Sequence, residues 1–352
     1  MNPSEPRVRT RRRSALTTLV LTCAVILSGC GVRLDTPPPT EPVPDAAEVV
    51  RRTAVADALL VADQADAAAA DDGVQADVAA KLALISDAAT AQAEQLGGTY
   101  DSGLGDIVAE GPVASPSARR PEHTPQAVIT SLRDASTRTR AAADQAETGP
   151  LGRLLASISA SQTQHARNLA QLTGEPGPEL PSAEIPEPAE PAAEPSGSGD
   201  TAAAPASDAE APAIAPAGLS AEELSALVVA EDTAGYALEV RAAQTKGPVR
   251  AQASERARVH RARAQDWALL AGIDGTEQDP RRVAYTAPEP DTSTTDLARG
   301  IEADLAQNYA TLVGVAEPGT RAVLVALLTE TTLAGGEWGA PTVPFPGLSE
   351  RA

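Results

Sequence analysis

One stretch near the middle of the 352-residue chain limits the fold more than any other feature of the sequence. Residues 175–218 contain ten prolines and nine carboxylates, with no basic residue and almost no large apolar side chain. Such a segment cannot bury enough apolar surface to offset its ordering entropy, and like charges keep it extended. The sequence therefore predicts a disordered acidic linker between two folded parts, residues 45–174 (the first half) and 219–350 (the second half).

Both halves carry apolar side chains at helical spacing, as in Leu224, Leu227 and Leu238 of the second half. The chain has only seven aromatic residues and few β-branched runs, which argues against a β-sandwich or barrel. Each half follows the order helix, short turn, helix, long loop, helix, short turn, helix, and the two halves look like a duplication. We predict an all-α fold of two antiparallel four-helix bundles with ferritin-like connectivity. Ser220, followed by two glutamates, is the expected start of the second bundle.

The N-terminus has the features of an export signal. Five arginines within residues 7–13 precede an apolar run, Ala15 to Leu27, which is shorter than the roughly 20 residues needed to span a bilayer. The run ends in Leu27-Ser28-Gly29-Cys30, which resembles the bacterial lipoprotein signal. The resemblance implies that residues 1–29 are removed, that Cys30 is lipidated, and that residues 30–44 form a tether. It also implies a location on the outer face of the cytoplasmic membrane. An ordinary signal peptide with a chance cysteine is the alternative, and the route, general secretory or twin-arginine, stays open.

The net charge of the chain limits the classes of binding partner that the sequence predicts. The chain has 28 basic and 48 acidic side chains, and loss of the leader removes five Arg and one Glu, which takes the net charge from −20 to −24. So acidic a chain lacks the basic surface that nucleic acids require, and no nucleic-acid partner is predicted. The expected partners are the membrane, through the lipid on Cys30, and an unknown envelope protein or small ligand. Cys23 leaves with the leader, so the mature chain forms no disulfide.

Three segments of the second half carry a family resemblance. They are residues 230–236 (AEDTAGY), residues 258–263 (RVHRAR) and the closing WGAP and PFPGL of residues 338–341 and 344–348. On these residues the second half resembles the ferritin-like domain of unknown function found in actinobacterial lipoproteins and secreted proteins. The resemblance implies a four-helix fold and supplies no established activity.

A metal site is the main functional alternative. Ferritin-like di-metal bundles use Glu-x-x-His pairs, and this chain contains none, which argues against di-metal oxidase chemistry. Glu231, His260, Asn308 and Glu330 nevertheless fall on apolar stripes of four successive helices. They form either a site for one metal ion or small ligand, with Glu231, His260 and Glu330 as speculative metal ligands, or a buried polar network. We predict no cofactor, with that single metal ion as the alternative.

The other candidates are interpreted as structural. His123 is expected in a Pro-rich loop, His165 on a solvent-facing helix surface, and Trp338 and Phe345 as residues that hold the C-terminal tail. Four arginines of one helix are interpreted as a solvated face: Arg256, Arg258, Arg261 and Arg263. No catalytic residue is assigned. The predicted function is a lipid-anchored envelope protein that works by binding or scaffolding; the alternative is a metal-binding or di-metal-derived oxidoreductase role of the second half.

Overall fold

The computed structural model describes residues 42–102, 123–188 and 214–351. Within these ranges the chain forms eight α-helices and one short 3-10 turn, Ser349–Arg351, without any β-strand, so the all-α prediction is confirmed. In the same ranges we find no helix both long enough and apolar enough to cross a membrane. The predicted leader, Cys30 and most of the tether lie outside the described residues.

Each half contains four helices in the predicted order. Those of the first half are α1 (Ala46–Ala69), α2 (Ala76–Gln95), α3 (Pro125–Gln145) and α4 (Gly149–Thr173). Those of the second half are α5 (Ala221–Gln244), α6 (Gly247–Leu270), α7 (Thr294–Val315) and α8 (Ala322–Glu337). The second and third helices of each half are separated by the longest connection, and the other turns within each half are short. The helices joined by a short turn therefore pack as antiparallel pairs, α1 with α2, α3 with α4, α5 with α6 and α7 with α8.

Local capping explains where several helices begin. The Ser220 hydroxyl accepts a hydrogen bond from the backbone N–H of Glu223, and the Glu223 carboxylate accepts one from the N–H of Ser220. This reciprocal capping box satisfies two of the amides that a helix N-terminus leaves unpaired. Asp45 caps α1 and Ser293 caps α7 through their side-chain oxygens in the same way. The predicted start of the second bundle at Ser220 is therefore confirmed.

The two halves pack against each other through α4. This helix contacts α7 and α8 of the second half, and α3 contacts α8 as well. Residues 154–166 of α4 are buried without interruption, as expected for a helix enclosed on all sides. Leu155 and Ile158 of α4 belong to one hydrophobic core with Leu324 and Leu327 of α8. The helices of the two bundles thus form one compact unit around a shared core.

Close backbone approach fixes this junction. A Cβ atom on Gly149, at the start of α4, would lie 1.9 Å from the carbonyl oxygen of Gly314 near the end of α7. Only glycine permits that approach. Beside it, the buried side chain of Arg321 donates to the backbone oxygens of Ala316 at 2.8 Å and of Ala146 at 2.5 Å, and so bonds to both halves.

The C-terminal tail, residues 338–351, is held by the first half. Ser161 donates to the backbone oxygen of Val343 at 2.9 Å, and Ser157 donates to that of Pro346 at 2.7 Å. The Gln92 amide donates to the oxygen of Pro344 at 3.1 Å. Trp338 and Phe345 are buried, which fits the expectation that they hold this tail.

Part of the predicted linker is described. Residues 175–188 contain no helix or strand, in line with their proline content. Ala183 and Ile185 nevertheless pack against the shared core, so the few apolar side chains of this segment do find a surface to cover. Residues 189–213 of the predicted linker lie outside the described residues.

Candidate functional site

The centre of the second bundle contains a group of charged side chains, which we call the ionic network. His260 of α6 lies between two carboxylates: its Nδ1 donates to Oε2 of Glu231 on α5 at 2.6 Å, and its Nε2 lies 3.4 Å from Oε1 of Glu302 on α7. All three side chains are buried, with at most 1% of each exposed. Buried charges of this kind require partners, because desolvation of an unpaired ion is very costly.

Two arginines of α6 complete the network on the side of α8. The guanidinium of Arg256 donates to both carboxylate oxygens of Glu302, at 2.5 and 2.6 Å, and to Oε1 of Glu330 at 2.6 Å. Arg263 forms an ion pair of 2.7 Å with the other oxygen of Glu330. Glu330 therefore joins His260 only indirectly, through Arg256 and Glu302.

Tyr309 closes the network on the opposite side. Its hydroxyl donates to Oε1 of Glu231, so both oxygens of that buried carboxylate are hydrogen-bonded. Burial and the negative charge of Glu231 raise the pKa of Tyr309 well above its usual value. Tyr309 therefore remains a neutral hydrogen-bond donor at any physiological pH.

The pairing keeps the charged forms stable. Burial alone would lower the pKa of His260, but its hydrogen bonds to Glu231 and Glu302 outweigh burial and raise the pKa. Burial acts to raise the pKa values of Glu302 and Glu330, yet the neighbouring cations lower both, that of Glu330 to about 2. With His260 protonated, three carboxylates face two guanidinium groups and one imidazolium, and the network then carries no net charge.

These residues do not fit a metal ion. A cation already lies where a metal would bind, since the Arg256 guanidinium bridges Glu302 and Glu330. The two ring nitrogens of His260 both face carboxylates, whereas a metal ligand offers a lone pair on a neutral imidazole. Across the described ranges, no group of three or more His, Cys, Asp or Glu side chains is arranged to hold a metal.

A comparison with known protein families finds a match to the second half of the chain. Residues 223–350 match the family described as "Domain of unknown function (DUF4439)". A DUF4439 domain thus spans these residues. Among curated proteins and among solved structures, none is significantly similar to the chain.

The limits of the DUF4439 domain agree with the geometry. The match begins at Glu223 of the capping box and ends at Glu350 of the C-terminal tail, so it contains every residue of the ionic network. The sequence resemblance to a domain of unknown function in the second half is therefore confirmed, and the α4 helix that holds its tail lies outside the domain.

The three residues proposed as metal ligands, Glu231, His260 and Glu330, all lie in the DUF4439 domain, but they do not converge on one point. Glu231 and His260 are in direct contact, whereas Glu330 contacts the arginines. Asn308, expected to face inward, is exposed, and Tyr309 beside it takes the buried position instead. Leu305 and Leu312 of the predicted stripe are buried, but of the two neighbouring positions between them Tyr309, and not Asn308, faces the core.

Sequence reasoning missed four members of the network. Arg256 and Arg263 were interpreted as part of a solvated face, but both are buried against carboxylates from α7 and α8. Their spacing with His260, at i, i+4 and i+7, was the available signal, since it places all three on one stripe of α6. Glu302 and Tyr309 repeat at i, i+7 on α7 and were also overlooked.

The other two arginines that were interpreted as a solvated face, Arg258 and Arg261, differ in their surroundings. Arg258 is 71% exposed and pairs only with Glu255 of its own helix, as expected for a solvated position. Arg261 instead pairs with Asp232 and Glu239 of α5, and the hydroxyl of Tyr285 donates to Asp232 at 2.6 Å. The expected basic stripe is therefore two buried arginines and two surface ones.

The two histidines of the first half differ from each other. His165 was expected to face solvent, and this was wrong: it is 2% exposed, and neither ring nitrogen has a hydrogen-bond partner among the described residues. Burial, with a smaller effect of Lys81, lowers the pKa of His165 to about 3, so the ring is neutral. Its placement follows from α4, whose central turns are enclosed on every side. His123 lies in the loop before α3 and is partly buried.

Proposed function

We propose that this protein is a lipid-anchored protein of the cell envelope that acts by binding or scaffolding, with no catalytic step. The anchor is the lipid on Cys30, at the outer face of the cytoplasmic membrane. Support comes from the arginine-rich leader, the short apolar run and the Leu27-Ser28-Gly29-Cys30 sequence. A mature net charge of −24 offers no basic patch for anionic lipids, so attachment rests on the acyl chains.

The burial and mutual pairing of the charged groups in the ionic network are the observation that supports a non-catalytic role. A catalytic acid, base or metal ligand must lie within reach of a substrate or a metal ion. Here Glu231, His260 and Glu302 are buried, and their charges pair with one another and with Arg256. A network of this kind contributes to a specific helix arrangement and leaves no charged group over for chemistry.

The anchor is tested by replacing Cys30 with alanine and following the protein in membrane and soluble fractions. We expect the Cys30→Ala protein to leave the membrane fraction. Cys23→Ala is the matched control, because that cysteine lies in the leader, and the control protein should stay membrane-bound. Membrane attachment of Cys30→Ala equal to that of the control would refute the lipoprotein proposal.

One observation favours the alternative, a metal-binding or di-metal-derived oxidoreductase role of the second half. Three carboxylates and an imidazole from four different helices do converge in one bundle core. The mature protein, loaded with iron, manganese or zinc and then desalted, should retain no stoichiometric metal. Stoichiometric retention that is lost in His260→Ala and kept in His123→Ala would establish the alternative.

A further inference from the structure

A cavity of about 400 Å³ lies between helices α7 and α8 and the C-terminal tail. Volumes of roughly 300–1,000 Å³ are typical of pockets that take small molecules. The cavity is bounded on one side by Ala303 and Ala306 of α7 and on another by Gly335 of α8. The tail supplies the outer wall, with Val343, Phe345, Pro346 and Leu348. The tail side of the cavity is therefore mostly apolar, whereas Gln164 of α4, Gln307 of α7 and Thr331 and Thr332 of α8 add uncharged polar groups to the lining.

The buried charge that borders this cavity is paired, and the other charged side chains lie at its mouth. Glu302 borders it, but both of its oxygens are bound by Arg256. At the mouth, Arg299 pairs with Asp296 of its own helix, and Asp304 lies nearby on the exposed face of α7. The charge of Asp304 lies in solvent at the mouth, and the buried charge on the wall, that of Glu302, is already paired. The lining thus favours a ligand that is itself neutral.

The outer wall is held in place from behind. Ser157, Ser161 and Gln92 of the first half bond to backbone oxygens of the tail, which fixes the path of residues 343–346. Gly347 is also fixed, because its φ is +76° and a Cβ there would lie 2.6 Å from the backbone oxygen of Ala306. A wall ordered before binding spares the ligand the entropic cost of ordering it.

We propose that this cavity is a binding site for a neutral, largely apolar small molecule. The inference deepens the proposed binding role and rests on it. It also explains what the first half contributes, because helix α4 supports the wall of a site whose other residues belong to the DUF4439 domain. Ligand affinity comes from burial of apolar surface between α7, α8 and the tail.

The test is a titration of the mature chain, prepared without its lipid so that no detergent competes for the probe. The probe is 1-aminoanthracene, a neutral aromatic molecule whose fluorescence rises in apolar surroundings, with calorimetry to give the stoichiometry. We expect saturable binding of one probe per chain. Anthracene-1-carboxylate has the same ring system and a negative charge, and it should bind at least ~10-fold more weakly.

Two tryptophan variants locate the site. Ala303 is exposed at the mouth of the cavity, so Ala303→Trp should obstruct entry and weaken binding at least ~10-fold without disturbing the core. Asn308 is exposed on the same helix and does not line the cavity, so Asn308→Trp should bind within ~2-fold of the parent chain. Both variants should keep the parent melting temperature within a few degrees.

A third variant separates binding from stability. A Cβ on Gly335 would meet Glu302 and Ala340 at ordinary contact distances of 3.5 and 3.7 Å. Gly335→Ala should therefore raise the melting temperature, because alanine is the better helix former, while it narrows the cavity and weakens binding a few-fold. A residue with a purely structural role would not give these opposite effects.

Several results would overturn the proposal: no saturable binding, equal effects of the two tryptophan variants, or tighter binding of the carboxylate. None of them bears on whether Cys30 anchors the chain, which the fractionation experiment measures. The experiments therefore distinguish failure of the cavity proposal from failure of the lipid-anchor proposal.

Discussion

Replacement of Arg256 by methionine tests the ionic network most directly. Methionine keeps an unbranched apolar stem and removes the guanidinium, which makes two bonds to Glu302 and a further one of 2.6 Å to Glu330. The network then changes from no net charge to −1, inside a core where Glu302 is 1% exposed. Removal of one partner from a buried ion pair costs about 3–5 kcal/mol, because the remaining charge stays buried without compensation.

Thermal unfolding of the mature chain measures this loss. For a body of this size each kcal/mol corresponds to about 2–4 °C, so the Arg256→Met protein should melt roughly 6–20 °C below the parent. Arg258→Met is the control, because that side chain is 71% exposed and pairs only with Glu255. Exposed pairs contribute about 0–1 kcal/mol, so the control should melt within about 4 °C of the parent.

A double variant checks the reasoning about charge. Adding Glu302→Gln to Arg256→Met returns the network to zero net charge, so part of the lost stability should be regained, with a coupling of about 0.5–3 kcal/mol. Two results would refute the argument. One is an Arg256→Met protein as stable as Arg258→Met. The other is a double variant whose loss equals the sum of its two single losses.

Two further predictions concern pH and the junction of the halves. The pKa of Glu330 is lowered from 4.5 to about 2, so its stabilising effect is complete above pH 4.5 and lost as pH falls towards 2. The pKa of His260 is raised above 6.5, so its effect is complete below pH 6.5 and lost as pH rises through the raised value. Denaturant titrations should therefore show a stability maximum between these limits, and a His260→Gln protein should lack the decline on the alkaline side. At the junction, Gly149→Ala should cost about 3 kcal/mol or more because its Cβ meets a backbone oxygen at 1.9 Å. The Cβ of Gly314→Ala would meet Arg153 at 3.6 Å and the backbone oxygen of Gly149 at 3.8 Å, both ordinary contact distances, so that variant should be neutral or slightly stabilising. Equal effects of the two variants in urea unfolding would contradict the close packing of α4 and α7.

Structural features that depend on residues within one helical turn were predicted correctly from the sequence. The capping box at Ser220 is such a case, since its two partners are three residues apart. The order of four helices in each half also followed from apolar spacing and turn residues. Apolar periodicity placed Leu305 and Leu312 in the core correctly, but it did not resolve which residue between them faces inward. Asn308 was placed there because it lies three residues after one leucine and four before the other, and Tyr309 takes that position instead.

Only part of the ionic network could be predicted from the sequence. Glu231 and His260 stood out as polar residues on apolar stripes, and the structure places them in contact at 2.6 Å. Arg256 looked like a surface residue, because the carboxylates that bind it are 46 and 74 positions away along the chain. Nothing in a single sequence reports a partner at that distance. It is mainly this one side chain that makes these residues unsuitable for a metal ion.

The sequence by itself determined the helical class and the division into two helical halves, because each follows from composition or from residues within a few turns, whereas the export signal stays a prediction. Only the tertiary structure decided that the halves share a core, that α4 supports the C-terminal tail, and that arginine neutralises the carboxylates of the second bundle. The physical reason is that these features depend on contacts between segments more than 40 positions apart. Close approach of Gly149 to Gly314 and the pairing of Arg256 exist only after the helices have packed.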